Sequence, residues 1–187
     1  MLSAYGPLPK SIKAGGKSYP INTVYHAAIT VFALWNDPEL DDEYKTLGML
    51  DIICPSWHDI PEQHLAEAVD NIVHYLDCGQ KDDGKDNPKL IDWELDAPLI
   101  IPAVNSVAHG DIRAMPDLHW WTFFSWFMEI RESVFSSVLA IRQKKAKHKK
   151  LEDYEKEFYR ENRALIDMKE PETEEIRAEK DSILKYL

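Results

Sequence analysis

The sequence predicts a mainly α fold, a single helical domain with a small N-terminal β-hairpin and a charged C-terminal helix and tail. Three observations lead there. Apolar residues recur at helical spacing, most clearly at Leu65, Ala68, Val69, Ile72, Val73 and Leu76. Residues 8 to 22 hold a two-stranded pattern around Gly15-Gly16. The run Leu118 to Met128 is apolar almost all the way round if helical, which places that helix at the centre of an all-helical core. At 187 residues the chain is long enough to bury such a core in one domain. Residues 1–150 read as that domain, with the hairpin at 8–22 and a polar loop at 79–90, and residues 151–187 as a charged helical extension and tail.

The hairpin runs Ser11-Ile12-Lys13-Ala14, turns at Gly15-Gly16, whose residues accept positive φ, and returns as Lys17-Ser18-Tyr19-Pro20-Ile21. Pro20 confines the second strand to an edge. Asn22 or Thr23 caps a first helix with Val24, Ala27 or Ala28, Val31 and Trp35 at helical spacing, ended by Asn36-Asp37-Pro38. A second helix begins near Asp41 and carries Tyr44, Leu47, Leu50 and Ile53 until Pro55 stops it. Pro61, at a first-turn position, opens the third, and Gly79 ends it. Residues 80 to 89 contain nothing apolar and read as a surface loop.

Asp96 caps the next helix, with Pro98 in its first turn and Leu99, Ile100, Ala103, Val104 and Val107 along it, and Gly110 ends it. The aromatic helix follows Pro116. Trp120, Phe123, Phe124 and Phe127 converge on one sector, Trp121 and Met128 extend it, and His119, Thr122 and Trp126 form the opposite strip. A further helix has Val134, Val138 and Ile141 inside and Lys144, Lys145, Lys147, Lys149 and Lys150 at its C-terminal end, where cations suit the dipole. From 151 to 169 a thin apolar seam of Leu151, Tyr154, Phe158, Leu165 and Ile166 suits a helix lying across the domain or pairing with a partner, and not a core element. Pro171 breaks it, and the acidic tail keeps only Ile176, Ile183, Leu184 and Leu187 as an apolar set.

The net charge of −11 disfavours nucleic acid as the main partner, because that affinity rests on cations neutralising phosphates. The Lys144–Lys150 cluster is flanked by Glu152, Asp153, Glu155 and Glu157, which neutralise much of it. No secretory leader or membrane-length apolar span is legible. Two cysteines, Cys54 and Cys78, make no disulfide scaffold, so the expectation is a cytosolic protein with reduced thiols, a bridge between them being the lesser alternative. Cys54 precedes Pro55 in an apolar run and reads as an inert buried thiol. His74 with Cys78, and His58 with His64, are isolated pairs rather than metal sites. No Gly-x-Ser-x-Gly and no phosphate cradle is present. The expectation is therefore no catalytic residues, no metal and no cofactor. What remains is a binding or assembly protein. Its candidate partner contacts are Trp126, an aromatic anchor if its strip faces outward, His119 and Thr122 beside it, and Tyr154 and Phe158 on the seam.

The order of landmarks along the chain resembles a tailed-phage family known as gene-product fifteen. The likeness begins at Pro9-Lys10-Ser11-Ile12-Lys13, Gly15-Gly16, Tyr19, Ile21, Asn22 and Thr23 and covers the glycine-ended helix before the polar loop. It continues at Asp96-Ala97-Pro98 and is strongest at Leu118-His119-Trp120-Trp121-Thr122-Phe123, similar to the family's Leu-His-Trp-Trp signature. Phe135, Ile141-Arg142 and Tyr159-Arg160 also fit, so residues 8 to 165 are spanned. The chain departs from the family in its polar loop, where Asp82, Asp83 and Asp86 are mixed among the usual lysines. It departs also at Val24, Tyr25 and His26, where an acidic and arginine pair is usual, and residues 171–187 have no counterpart. The resemblance implies a non-enzymatic tail-assembly chaperone, encoded beside the tape-measure protein. It implies that the tape-measure protein, and with it the major tail protein, are partners and that the chain self-associates; nucleic acid and membrane are not expected as partners, on the charge and on the lack of a long apolar span. It implies action in the bacterial host cytoplasm and absence from the mature virion. The competing expectation is a structural virion protein, a connector or tail-completion component. A third is a regulator using the Lys144–Lys150 face on nucleic acid.

Overall fold

A computed structural model describes residues 6–80, 84 and 88–168. Its two strands are β1 (Ser11–Ala14) and β2 (Lys17–Pro20), antiparallel with Ser11 opposite Pro20 and Ala14 opposite Lys17. Gly15 and Gly16 sit at φ of 56° and 76°, as the tight turn requires. Gly15 has a second reason to lack a side chain, since a Cβ there would run into the His64 imidazole. Ile12, Ala14 and Tyr19 turn inward and are buried. The hairpin lies on α3 (Leu65–Leu76), where Asn71 Nδ2 donates to the Lys13 carbonyl at 3.0 Å and the Gly15 N–H donates to Glu67 at 2.8 Å.

Helix α1 spans Tyr25–Asn36, and its start differs from expectation. Neither Asn22 nor Thr23 caps it; Val24 holds the N-cap position with no side-chain bond. The backbone does the work instead. Val24 forms an antiparallel bridge with His119, the N-cap of α5 (Trp120–Met128), so Tyr25 N–H donates to Leu118 at 2.9 Å and Trp120 N–H donates to Thr23 at 2.7 Å. Each helix thereby satisfies an orphan N–H of the other.

Helix α2 (Asp42–Ile53) packs on α1 and begins as its sequence indicates, with the Asp41 carboxylate accepting from the Tyr44 N–H at 2.8 Å. Two 3-10 turns, Trp57–Asp59 and Glu62–His64, lead into α3, so Pro61 precedes a 3-10 turn rather than the first α turn. Helix α3 closes through Cys78 and Gly79, both left-handed. Helix α4 (Ala97–Ala108) tolerates Pro102 and stops at His109, whose φ of 53° ends it one residue before Gly110. Helix α6 (Val134–Ala146) opens with a reciprocal bond pair between Ser133 and Ser136. The single helix foreseen after residue 151 is two, α7 (Asp153–Glu161) and α8 (Arg163–Ile166), parted at Asn162. Thus the described residues are mainly α with one small hairpin.

Two buried clusters result. The larger joins the hairpin and α1 to α5, with Ile53, Ile72, Val104, Trp120 and Phe123 at its centre. The smaller consists of Val138, Ile141 and Ile166, flanked by Leu99, Leu151, Phe158 and Tyr159. Ile166 is fully buried, so the C-terminal seam does supply a core residue, contrary to its reading as purely a surface element. Val134, expected inside, is 51% exposed because the buried stripe of α6 is Phe135, Val138, Ile141 and Arg142. Ile176, Ile183, Leu184 and Leu187 lie outside the described residues, as do Asp82, Asp83 and Asp86. No helix among the described residues is long and apolar enough to cross a membrane.

Candidate functional site

The run from Leu118 to Trp121 joins three parts of the chain. Trp120 is buried among Phe32, Trp93, Phe123 and Phe124, with centroids 5.4 to 6.1 Å away. Its Nε1–H donates to the Leu76 carbonyl at 2.9 Å, and the Nε1–H of Trp121 donates to the Tyr75 carbonyl at 2.9 Å. Two adjacent indoles therefore cap the C-terminal end of α3: that of Trp120 serves the Leu76 carbonyl, and that of Trp121 adds a second donor to the Tyr75 carbonyl, which also accepts from the Cys78 N–H. Leu118 contributes its carbonyl to α1, and His119 contributes both ring nitrogens. Nδ1 accepts from the Trp121 N–H at 3.1 Å, and Nε2, necessarily the protonated nitrogen, donates to the Pro9 carbonyl at 2.9 Å.

That geometry corrects the strip proposed for partners. His119 is only 8% exposed, because the helix begins at Trp120 and the histidine is its cap rather than a residue on its outer face. Thr122 and Trp126 are half-buried on α5, and Trp126 lays one side against the core. Met128, counted with the inward sector, is 63% exposed at the end of the helix.

Tyr154 and Phe158 are brought together. They form one wall of a groove of about 370 Å³ between α7 and α6, whose floor is the small residues Ser136, Ser137 and Ala140. Tyr154 is 71% exposed at its rim, while Phe158 leans into the small core. Trp126 and Thr122 are not part of this groove. A second groove of similar volume separates Pro7–Lys13 from Asn71, His74 and Tyr75 on α3.

Polar contacts fix the groove's walls. The buried Glu155 carboxylate accepts from Lys144 Nζ at 2.7 Å and from the Glu152 N–H at 2.8 Å, and these bonds hold its pKa below the usual value. Asp167 is bound by Lys145, Arg163 and Tyr159; burial opposes its charge, yet these bonds prevail and bring its pKa to about 2. Of the lysine cluster, Lys144 and Lys145 are thus paired. The foreseen neutralisation stops there, since Asp153 pairs with Lys156 and Glu157 with Arg160. Lys147, Lys149 and Lys150 are exposed and have no ion pair among the described residues.

The residue that holds the C-terminal helices, Arg142, was expected only as a landmark. It is nearly fully buried. Its guanidinium donates to Asp96 at 2.6 and 2.9 Å, to the Leu90 carbonyl at 2.9 Å, and to the carbonyls of Leu165 and Ile166 at 2.7 and 2.9 Å. Asp96, foreseen as a side-chain cap of α4, makes no capping bond. Its buried carboxylate receives Arg142 and the Asp92 N–H instead. The sequence did carry a signal. Arg142 falls at i+7 from Phe135 and i+4 from Val138, on the core stripe, where a cation needs a buried partner.

Cys54 and Cys78 are free thiols, and burial pushes both pKa values up, that of Cys78 to about 12. Neither is an activated nucleophile. No group of three metal-ligating side chains occurs among the described residues. The α6–α7 groove and the one beside the hairpin are mainly apolar, whereas a third, lined by Asn36, Asp37, Asp92 and Glu94, is mainly polar. The sequence matches the family model described as Bacteriophage Gp15 protein over residues 5–168. No curated protein and no solved structure matches it.

Proposed function

The chain belongs to the Bacteriophage Gp15 protein family, and from that premise we propose that it is a non-enzymatic, chaperone-like factor of tail assembly. It holds apolar helical stripes of the tape-measure protein while tail-tube subunits gather round them. The observation that carries this reading is the α6–α7 groove. Its floor of Ser136, Ser137 and Ala140 lets a helix approach closely, and Tyr154 and Phe158 supply aromatic contact beside it. Trp126, with Thr122 next to it, supplies a second contact on α5; His119, being buried, supplies none. The net charge of −11 keeps a complex with an apolar client in solution. Self-association multiplies such weak contacts along one long client. The protein acts in the host cytoplasm and is absent from the finished particle.

Co-expression with the neighbouring tape-measure protein tests this, read by size-exclusion chromatography while purified virions are probed for the chain. The expected result is a soluble complex and no chain in the virion. No complex together with the chain in particles establishes a structural virion component instead. Within the complex, Trp126→Ala and Tyr154→Ala weaken client binding more than they lower Tm, and Phe123→Ala does the reverse. Equal loss of stability in all three overturns the assignment of contacts.

A further inference from the structure

The N-terminal hairpin leaves one strand edge open. In an antiparallel pair, residues alternate between those that bond across to the other strand and those whose N–H and C=O point outward. Ile21 N–H donates to the Lys10 carbonyl at 3.1 Å and Ser11 stands opposite Pro20, so Ile12 and Ala14 bond to β2 while Ser11 and Lys13 turn outward. The bond from Asn71 Nδ2 to the Lys13 carbonyl shows where outward is, since Asn71 belongs to α3. That bond closes the edge at Lys13. Toward Pro7 a groove of about 370 Å³ opens between the strand and α3, and there the N–H and C=O of Ser11 have no partner among the described residues. On β2 the outward residues are Ser18 and Pro20, and proline has no N–H to offer, so β1 is the edge suited to another strand. The Pro9 carbonyl, bonded to His119 Nε2 at 2.9 Å, fixes the chain's approach to that edge.

The groove's charge is opposite to the chain's. The sequence holds 33 acidic against 22 basic residues, yet no carboxylate lines this groove. Its charged side chains are Lys10 and Lys13, both exposed and without an ion pair among the described residues, and His74 adds a ring N–H. Leu8 and Tyr75 supply apolar surface.

We propose that β1 takes as a third strand an extended, acidic segment of a partner protein, bearing both carboxylates and apolar side chains. Its backbone exchanges hydrogen bonds with Ser11 and accepts from the Lys13 N–H, its carboxylates meet Lys10 and Lys13, and its apolar side chains lie on Leu8 and Tyr75. A two-stranded sheet is marginal alone, and a third strand adds to it. Asn71 stops the pairing at Lys13, so the contact is short, weak and reversible. It shares no residue with the α6–α7 groove and does not depend on what that groove holds.

An amide-resolved NMR titration of the full-length chain tests this, with a blocked hexapeptide of alternating glutamate and valine set against the same peptide with lysine for glutamate. The acidic peptide is expected to shift the Ser11 and Lys13 amides downfield and to bind about tenfold more tightly than the lysine peptide, a ratio that shrinks as salt is added. N-methylation of the acidic peptide's backbone keeps its charge, leaves the protein untouched and is expected to abolish binding. Ser11→Pro removes the outward N–H from a position that gives β2 nothing, so the hairpin persists and binding is lost, whereas Ser11→Ala keeps the N–H and binds like the unaltered protein. Lys10→Glu combined with Lys13→Glu is expected to reverse the preference between the two peptides. Unshifted Ser11 and Lys13 amides, equal affinity for both peptides, or retained binding of the N-methylated peptide overturns the proposal. If the same two amides shift as the protein is concentrated without peptide, the edge belongs to a second copy of the chain and the partner segment is removed.

Discussion

The large core around α5 and the small one between α6 and the C-terminal helices differ in what holds them. In the first, rings pack on rings: Trp120 and Phe123 meet Tyr25, Phe32, Trp93 and Phe124, and each ring buries roughly 150 to 250 Å². In the second, Val138, Ile141 and Ile166 pack beside a buried guanidinium that spends its N–H groups on Asp96 and on three carbonyls, those of Leu90, Leu165 and Ile166. Apolar burial is additive and tolerant of direction, so the large core weakens in proportion to what is removed. A buried charge pair is directional. Its attraction is largely offset by desolvation, and its loss leaves a charge stranded. The small core is therefore specified more by geometry than by area.

Truncating the large core has the largest expected effect. Phe123→Ala and Trp120→Ala each cost about 3 to 5 kcal/mol in denaturant unfolding. Trp120→Ala falls at the upper end, because the Leu76 carbonyl loses its indole donor. A loss below about 1 kcal/mol in either would mean that the rings are not what holds the domain.

Arg142→Ala comes next, at about 3 kcal/mol or somewhat more, since Asp96 is left buried and unpaired. Its signature is local: amides of α7 and α8 exchange rapidly while those of α5 stay protected. Arg142→Lys fails to restore them, because an ammonium lacks the planar fork that serves Asp96 and three carbonyls together. Uniform loss of protection across both cores would erase the distinction between them.

Acid gives the smallest effect and sharpens the contrast from the polar side. The carboxyl of Asp167 has a folded pKa of about 2, below its unfolded value of about 3.9. Its stabilising contribution is complete above the unfolded pKa and fades as pH falls through the folded one. Protease cleavage near the Asn162 break should therefore increase between pH 4 and 2, and Asp167→Asn should show the increased cleavage already at pH 7 with a flattened pH response. Cleavage that ignores pH in that window would detach Asp167 from the anchoring of α8.

What could be read from the sequence was local. Gly15-Gly16 specifies its turn without help from elsewhere, Asp41 finds the Tyr44 N–H three residues on, and α3 advertises its buried face by spacing alone. Tyr154 and Phe158 were recognisable as i, i+4 neighbours, and the structure adds the small-residue floor opposite them. The errors share a cause, which is competition from distant partners. Asp96 before Ala97-Pro98 has the form of a cap, but Arg142, 46 residues away, takes its carboxylate. His119 fits a helical strip until the bridge to Val24 makes it the residue before the helix. Neither Asn22 nor Thr23 takes the cap position: the Asn22 side chain accepts from the Val24 N–H instead, and the Leu118 carbonyl satisfies the first N–H of α1. The two indoles that close α3 left no local trace, as neither the tryptophans nor the carbonyls are unusual in their own neighbourhoods.

The bonds made by His119 also set an order of events during synthesis. Its ring holds the carbonyl of Pro9 from 110 positions away, and its backbone completes the start of α1. Translation proceeds from the N-terminus, so the hairpin and α1 leave the ribosome long before the histidine that secures them is made. Contacts of such long sequence separation form late and slowly. Phe32 of α1, whose ring neighbours include Trp93 and Trp120, must therefore wait through much of the chain's synthesis without them, exposed to whatever apolar surface is at hand. A protein whose own first helix waits in this way has to outlast the hazard that it is proposed to relieve in its client.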